Sequence, residues 1–339
     1  MVGLGAVGRW LLDAFRARRH SVSPGDGPEL VLVGAGRRRD GFVHADDGLE
    51  LGSLRELLSA GRPLSELAGA SRWDDLDEGL AATTADVLVE VSGSPLPDGQ
   101  PGAGRIERAL ERGISVATSS KWPIALHGVR LARLARERNA SLRAESTVMS
   151  GTPVLSTLTE GLAGARPLGL RGVLNATANF VLTELAAGAS YEQALAAARD
   201  AGLAERDPSD DVEGRDSVAK LMVLAALVFG RQLALDEVGR EGISDLDPDE
   251  VARAADAGDA VRLVETIESS PAGELRARVA PERLTPGDPL AGLRGATNGI
   301  VCRADPVGEI AVTGPGAGPQ LAGQGVLSDL IAIGRAPPK

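Results

Sequence analysis

Apolar residues recur along the chain at two different periods, and the alternation between them divides it into strands and helices. Residues 30–34 (Leu-Val-Leu-Val-Gly) and 86–91 (Asp-Val-Leu-Val-Glu-Val) read as buried-strand runs, with helical patterns between them. Ahead of them, residues 9–15 (Arg-Trp-Leu-Leu-Asp-Ala-Phe) repeat at helical intervals. Residues 53–56 predict a capping box that opens a short helix closed by Gly61. Residues 105–112 predict a helix ended by Gly113, residues 114–117 a short strand, 129–138 a helix and 141–144 a last strand. Strands alternating with helices predict a parallel, doubly wound α/β sheet.

Beyond Glu145 the texture changes. Residues 190–193 cap an alanine-rich helix ending at Gly202, an acidic stretch follows over 205–211, and a helix begins near Asp216. Residues 237–259 read as polar and helical. Short alternating runs broken by Pro and Gly from 274 to 312 predict the strands of a second sheet, so the second region is α+β. Residues 314–318 (Gly-Pro-Gly-Ala-Gly) form a turn cluster leading into an apolar helix over 325–333.

The opening Gly3-x-Gly5-x-x-Gly8 stands between a strand and the first helical run, where such glycines let a dinucleotide pyrophosphate approach a helix N-terminus. With the alternation behind it, this predicts a Rossmann-type fold. A strand of that fold normally supplies several residues before its first glycine, and only Met1 and Val2 stand here, which leaves open whether the native chain starts upstream of Met1. In this fold the residue ending the second strand meets the adenine ribose. Gly34-Ala35-Gly36 run into Arg37-Arg38-Arg39-Asp40, placing arginines where an acid would favour NAD. Guanidinium forks bind phosphate bidentately, so Arg37 and Arg38 predict NADP as the tighter cofactor, with NAD possible. The alternative is a solvated basic turn, with Asp40 reaching the ribose if the strand ends later.

Composition narrows the function. With 339 residues, 43% hydrophobic and a net charge of −11, the chain is globular, long enough for two domains, and repels phosphate backbones. No nucleic-acid or membrane partner is expected, and without an export signal or an apolar span the expected location is cytoplasmic. The acidic charge is also compatible with a salt-adapted cytoplasm. The single Cys302 and the histidines 20, 44 and 127 show no metal-ligand spacing. Of 36 basic residues only Lys121, Lys220 and Lys339 are lysine. Arginine serves as well on a solvated surface but does not release its proton, so the two internal lysines need a chemical reason. Lys220 lies four residues from Asp216 and continues into the apolar run 221–229. A surface ion pair is the bland reading; an ammonium entering a buried helix instead predicts pairing in an interior cleft and proton transfer near neutrality. Lys121, just past a strand end, by itself reads as a phosphate or ribose contact or a solvated loop charge, and Glu205, Asp210 and Asp211 more often as loop acids than as ligands; two lysines and several carboxylates together suit a zwitterionic amino acid.

At this point the chain resembles homoserine dehydrogenase over nearly its whole length. The resemblance is carried by the glycine motif, residues 89–93, 117–123, 145–153, 175–180, the block from Ala204 and Glu205 through Asp207, Asp210, Asp211, Gly214 and Asp216 to Lys220, and residues 314–318. It implies reversible oxidation of L-homoserine to L-aspartate 4-semialdehyde with a nicotinamide cofactor, in threonine and methionine biosynthesis. It further implies that Lys121 and Lys220 hold the substrate hydroxyl and manage its proton, that Glu205 and Asp216 fix the amino group, that Thr177 lies by the carboxylate, and that Asp211 belongs to the substrate site. Gly3, Gly5, Ala6, Val7, Gly8, Ser92, Gly93, Ser120 and Gly316 would contact the cofactor. A sodium-like monovalent cation would sit on carbonyls of Val148, Ser150 and Thr152 near Glu145.

Residues 1–144 are then expected as the NAD(P)-binding domain, 145–313 as a substrate-binding and dimerisation domain, and 314–339 as a segment returning to the first. A homodimer through the second sheet is expected. Where the family usually has asparagine before the first lysine this chain has Ser120, and where it usually has glycine there is Ala176. Some relatives carry an ACT domain after the catalytic region or a fused kinase before it; neither is expected, nor is threonine feedback through one. Two rivals stay open: another two-domain amino-acid or hydroxy-acid dehydrogenase, against which the block from Glu205 to Lys220 argues, and a non-catalytic dinucleotide-binding regulator, which has no need of the lysines.

Overall fold

The computed structural model describes residues 1–21 and 28–335, with backbone only for 18–21; Lys339 lies outside them. The chain separates into two compact units, one of residues 1–123, 130–146 and from Ala322 onward, the other of 124–129 and 147–321.

The first unit begins with helix α1 (Ala6–Ser21) and the antiparallel strands β1 (Gly34–Arg37) and β2 (Gly41–His44). Helix α2 (Leu51–Ser59), strand β3 (Ser71–Trp73), helix α3 (Leu76–Ala82), strand β4 (Val87–Glu90), helix α4 (Gly102–Glu111) and strand β5 (Ser115–Thr118) follow. Helix α5 (Lys121–Glu137) and strand β6 (Leu142–Arg143) close the run. Strands β4, β5 and β6 are parallel, as the alternation predicts. On the other side β1, β2 and β3 pair antiparallel. The strand expected before Gly3 is reduced to Val2, which bridges in parallel to both Gly36 and Glu90. Met1 is buried, and its nitrogen donates to the Gly34 carbonyl at 2.7 Å. A cavity of about 1640 Å³ lies beside it, lined among others by Leu30, Leu32, Val87 and Val89.

Local chemistry shifts several boundaries. The strand expected over 30–34 lies instead at Gly34–Arg37, because β2 turns back at Gly41 and pairs with that stretch, and a ladder forms where its partner is. Glu50, not Ser53, caps α2: its carboxylate accepts from the Gly52 and Ser53 amides. Helix α5 starts eight residues ahead of the expected 129, with Pro123 tolerated in its first turn. Buried Ile106 and Leu110 give α4 one apolar face, and Gly113 ends that region at φ 73°. Leu11, Leu12, Leu54, Leu58 and Leu330 pack in one core cluster.

The second unit takes in the short helix α6 (Ser146–Met149), β7 (Arg166–Val173), α7 (Ala176–Ala186), α8 (Tyr191–Asp200), α9 (Ser209–Val212), α10 (Arg215–Leu227), β8 (Val238–Arg240) and α11 (Pro248–Asp256). Strands β9 (Ala260–Ser269), β10 (Leu275–Leu284), β11 (Thr297–Asp305) and β12 (Gly308–Pro315) complete a six-stranded sheet of order β12-β11-β7-β9-β10-β8. The sheet reaches further back than the expected 274–312, since Pro167, Gly169 and Gly172 interrupt the alternation of β7. Residues 237–259 hold strand β8 as well as a helix. The capping box before α8 forms as predicted. Gly314 and Pro315 end β12 rather than turn, and the last helix, α12 (Pro319–Arg335), starts soon after. Among the described residues no helix is long and apolar enough to cross a membrane.

Candidate active site

In the first unit Val2 and Gly3 are held on both sides. Val2 N–H donates to Val89 O at 2.7 Å, Val91 N–H to Val2 O at 2.8 Å, and Gly3 N–H to Gly36 O at 3.0 Å. The three glycines then do three different things. Gly3 turns at φ 102° with its backbone against Val91 and Ser92, and a Cβ on Gly8 would collide with the Gly3 carbonyl. A Cβ on Gly5 would meet nothing within 4 Å, and α1 begins at the next residue, Ala6, followed by Val7. Tight turn, open approach and close packing are the demands a pyrophosphate at a helix N-terminus makes.

Beside this turn, buried Glu90 accepts Ser92 N–H at 2.9 Å and also the Ser92 hydroxyl, fixing the bend before Gly93, which sits at φ 73°. Burial raises the Glu90 carboxyl, while Ser92 and the Arg105 guanidinium oppose that rise. Ser120 precedes α5 without a side-chain cap hydrogen bond, and its amide donates to Thr118 Oγ1 at 3.0 Å. Lys121 is the first residue of that helix, half-buried. Arg37 ends β1, later than the sequence predicts. Its guanidinium pairs with Asp40 and donates to Arg62 O at 3.0 Å, whereas Arg38 is exposed in the turn.

In the second unit the acidic block is drawn together. Gly214, at φ 75°, opens α10, whose residues from Ser217 to Ala226 are all buried. Lys220 is therefore enclosed, only 7% exposed, and its ammonium lies 2.6 Å from Asp216 Oδ2 and donates to Leu174 O at 2.7 Å. Asn175 caps α7 through Oδ1, and its Nδ2 donates to Asp211 Oδ1 at 2.8 Å and Asp216 Oδ2 at 3.1 Å. Burial and the neighbouring Asp216 charge raise the Asp211 carboxyl, opposed by Asn175 and Lys220. Thr177 donates to Leu203 O at 2.9 Å, anchoring the loop in which Glu205 stands exposed.

Asn175, Asn298 and Glu265 are members of this cluster that the sequence reading did not single out. Asn298 donates to the same Leu174 carbonyl at 2.6 Å, and Glu265 accepts the Leu174 amide at 2.9 Å. Asparagine directly before the helical run at 176 was the available signal for a cap; a glutamate inside the apolar run of β9 was the signal for Glu265. Gly316 lies in this unit, where a Cβ would collide with the Asn298 amide, so packing accounts for its lack of a side chain.

Around the expected cation position, Ser150 stands at φ 53° and Thr152 N–H donates to Met149 O at 3.0 Å. The Ser150 hydroxyl donates to Gly316 O at 3.0 Å and that of Thr152 to Pro315 O at 3.1 Å. Val148 is buried in α6, and the Glu145 amide donates to Asp329 Oδ2 at 3.0 Å. Among the described residues no group of three or more His, Cys, Asp or Glu side chains could hold a metal.

Residues 153–331 match the family model for homoserine dehydrogenase. An NAD(+)-dependent homoserine dehydrogenase from Pseudomonas canavaninivorans is 35% identical over 98% of this chain and 95% of its own length. The homoserine dehydrogenase of Mycobacterium tuberculosis strain H37Rv is 34% identical over 99% of this chain and 71% of its own. A hyperthermophilic archaeal homoserine dehydrogenase solved in complex with NADPH superposes with a TM-score of 0.82 at 31% identity, covering 100% of this chain and 97% of that one.

Proposed function

Since the chain belongs to the homoserine dehydrogenase family, we propose that the Asp211, Asp216 and Lys220 cluster holds the substrate and that Lys220 manages its alcohol proton. The reaction is the reversible NAD(P)-dependent interconversion of L-homoserine and L-aspartate 4-semialdehyde. One observation carries the assignment: Lys220 is an enclosed ammonium held between a carboxylate at 2.6 Å and a carbonyl at 2.7 Å. Hydride leaves the alcohol carbon only as its O–H proton is taken up, so Lys220 in its neutral form, held in place by Asp216 and the Leu174 carbonyl, is the base in oxidation, and its ammonium is the acid in reduction. The bound nicotinamide supplies the hydride acceptor or donor. Asp211 and Asp216 offer carboxylate oxygens to a substrate ammonium, and Glu205 a third from its loop. Lys121 is assigned to the same hydroxyl on the strength of the family motif.

The cofactor residues fit the group they would hold. Gly5 opens onto free space at the start of α1, Ser92 and Gly93 are fixed by Glu90, and Arg38 is exposed next to the strand end. These support NADP as the tighter partner through Arg38, with Arg37 alongside. For the monovalent cation, the Ser150 and Thr152 hydroxyls are spent on main-chain carbonyls, so main-chain oxygens of the 148–152 turn would be its ligands. A homodimer is supported by the exposed edge strand β12, whose unpaired backbone groups invite a second copy.

Absorbance at the reduced-nicotinamide band with L-homoserine, L-serine, L-threonine and L-malate tests the substrate. Turnover is expected with L-homoserine; equal or faster turnover with another of the four removes the assignment.

A further inference from the structure

Glu265 is completely buried on β9, at the edge of the lysine cluster, and takes no part in the chemistry described so far. Its Oε2 accepts the Leu174 amide at 2.9 Å, and Leu174 is the residue whose carbonyl receives both Lys220 and Asn298. One residue of main chain is thus held at its N–H by a carboxylate and at its C=O by the lysine. The other oxygen, Oε1, is faced by the buried hydroxyl of Ser217 on α10, one turn from Lys220, which favours the ionised carboxylate. A carboxylate enclosed this completely is costly where it serves only to tie down a strand; an apolar residue there would cost less.

We propose that Glu265 is a positioning residue for this reaction: it fixes the Leu174 main chain on which Lys220 rests and, through its own charge, governs how readily that ammonium gives up its proton. The inference rests on the reading of Lys220 as the proton-handling group. The groups facing Glu265 are few. From α10 come Ser217 and the Lys220 ammonium, with Asp216 behind the ammonium and Asp211 on α9 beyond. Across the neighbouring strands stand Gly172 of β7 and Val279 of β10, which carry no charge. Burial raises the Glu265 carboxyl to about 7, and Lys220 is the one charged group opposing that rise. When ionised it stabilises the ammonium and delays proton release to higher pH.

The test is Glu265→Gln, which keeps an oxygen for the Leu174 amide and removes the charge. In homoserine oxidation the limb of kcat that reports release of the lysine proton should move to lower pH by about one unit. Infrared spectra should lose a titrating carboxyl band in the same variant. Ser217→Ala provides a second, milder change, since loss of the hydroxyl disfavours the ionised carboxylate and moves the limb the same way by a smaller step. Profiles superimposable on the unsubstituted enzyme in both variants overturn the proposal. Lys220→Arg separates the two readings: if it abolishes turnover while the profiles of the Glu265 and Ser217 variants stay put, only the role of Glu265 falls. If the arginine enzyme turns over normally, the reading of Lys220 falls first.

Discussion

Asp216 and Lys220, one helical turn apart on α10, meet at 2.6 Å, and the same Asp216 oxygen takes a second hydrogen bond from Asn175 at 3.1 Å. The carboxylate precedes the ammonium along the helix, the favourable order for such a pair. Because both groups are enclosed, the pair is not a solvated surface contact, and removing one partner leaves the other charge uncompensated.

Lys220→Ala should therefore lower kcat by about 100-fold or more, the usual contribution of a positioned acid or base, while NADP binding followed by fluorescence is retained. Lys220→Arg should fail equally, because guanidinium keeps the charge but not the exchangeable proton. Near-normal turnover in the arginine variant would remove the acid/base role. The same pair of substitutions at Lys121 shows which lysine dominates.

The glycine turn makes a sharper demand. A Cβ on Gly8 collides with the Gly3 carbonyl, whereas one on Gly5 enters open space. Gly8→Ala should lower the melting temperature, with a cost of about 1–3 kcal/mol for overpacking. Gly5→Ala should leave melting unchanged and raise KM for the cofactor. Equal cofactor KM in Gly5→Ala and the parent enzyme would show that nothing approaches there.

Asn175 joins a cap to the acidic cluster. Asn175→Ala loses the cap on Ala178 N–H, worth about 1 kcal/mol, and both carboxylate contacts. Chemical denaturation should report the first loss and a raised KM for L-homoserine the second; an unchanged KM would detach Asn175 from the substrate site.

Stability should fall as pH rises through the range set by Glu265. Its carboxyl is raised from 4.5 to about 7, so between those values the folded chain keeps a proton that the unfolded chain has released. The contribution is fully present below 4.5 and gone above about 7, at about 1.4 kcal/mol per unit of separation. Asp211 is shifted in the same direction. Urea titrations at about pH 5 and about pH 8 should therefore show a smaller pH dependence for Glu265→Gln than for the parent. Parallel curves would contradict the shift.

Arg37 and Arg38 are separable. Arg37 is engaged by Asp40 and the Arg62 carbonyl, while Arg38 is exposed. Arg38→Ala should raise KM for NADP⁺ about tenfold and leave that for NAD⁺ nearly unchanged, as loss of a guanidinium and phosphate contact would. A parent enzyme with KM for NAD⁺ at or below that for NADP⁺ would show that neither arginine is a phosphate clamp.

The sequence by itself determined what depends on neighbours in the chain. The alternation of strands and helices, the capping box at Ser190, the glycine order at 3, 5 and 8, and the enclosure of Lys220 by the apolar run after it all follow from periods and side-chain types. Only the tertiary structure decided what depends on partners distant in sequence. It moved the second strand to Gly34–Arg37, because β2 pairs there, and it brought β7 and β9 into the second sheet. It also made Leu174 the meeting point of Lys220, Asn298 and Glu265, residues from 46 to 124 positions away. A carbonyl has no side chain to mark it, and a buried carboxylate takes its meaning from what is folded against it. Those interactions are therefore absent from the sequence pattern even though every residue that makes them is present in it.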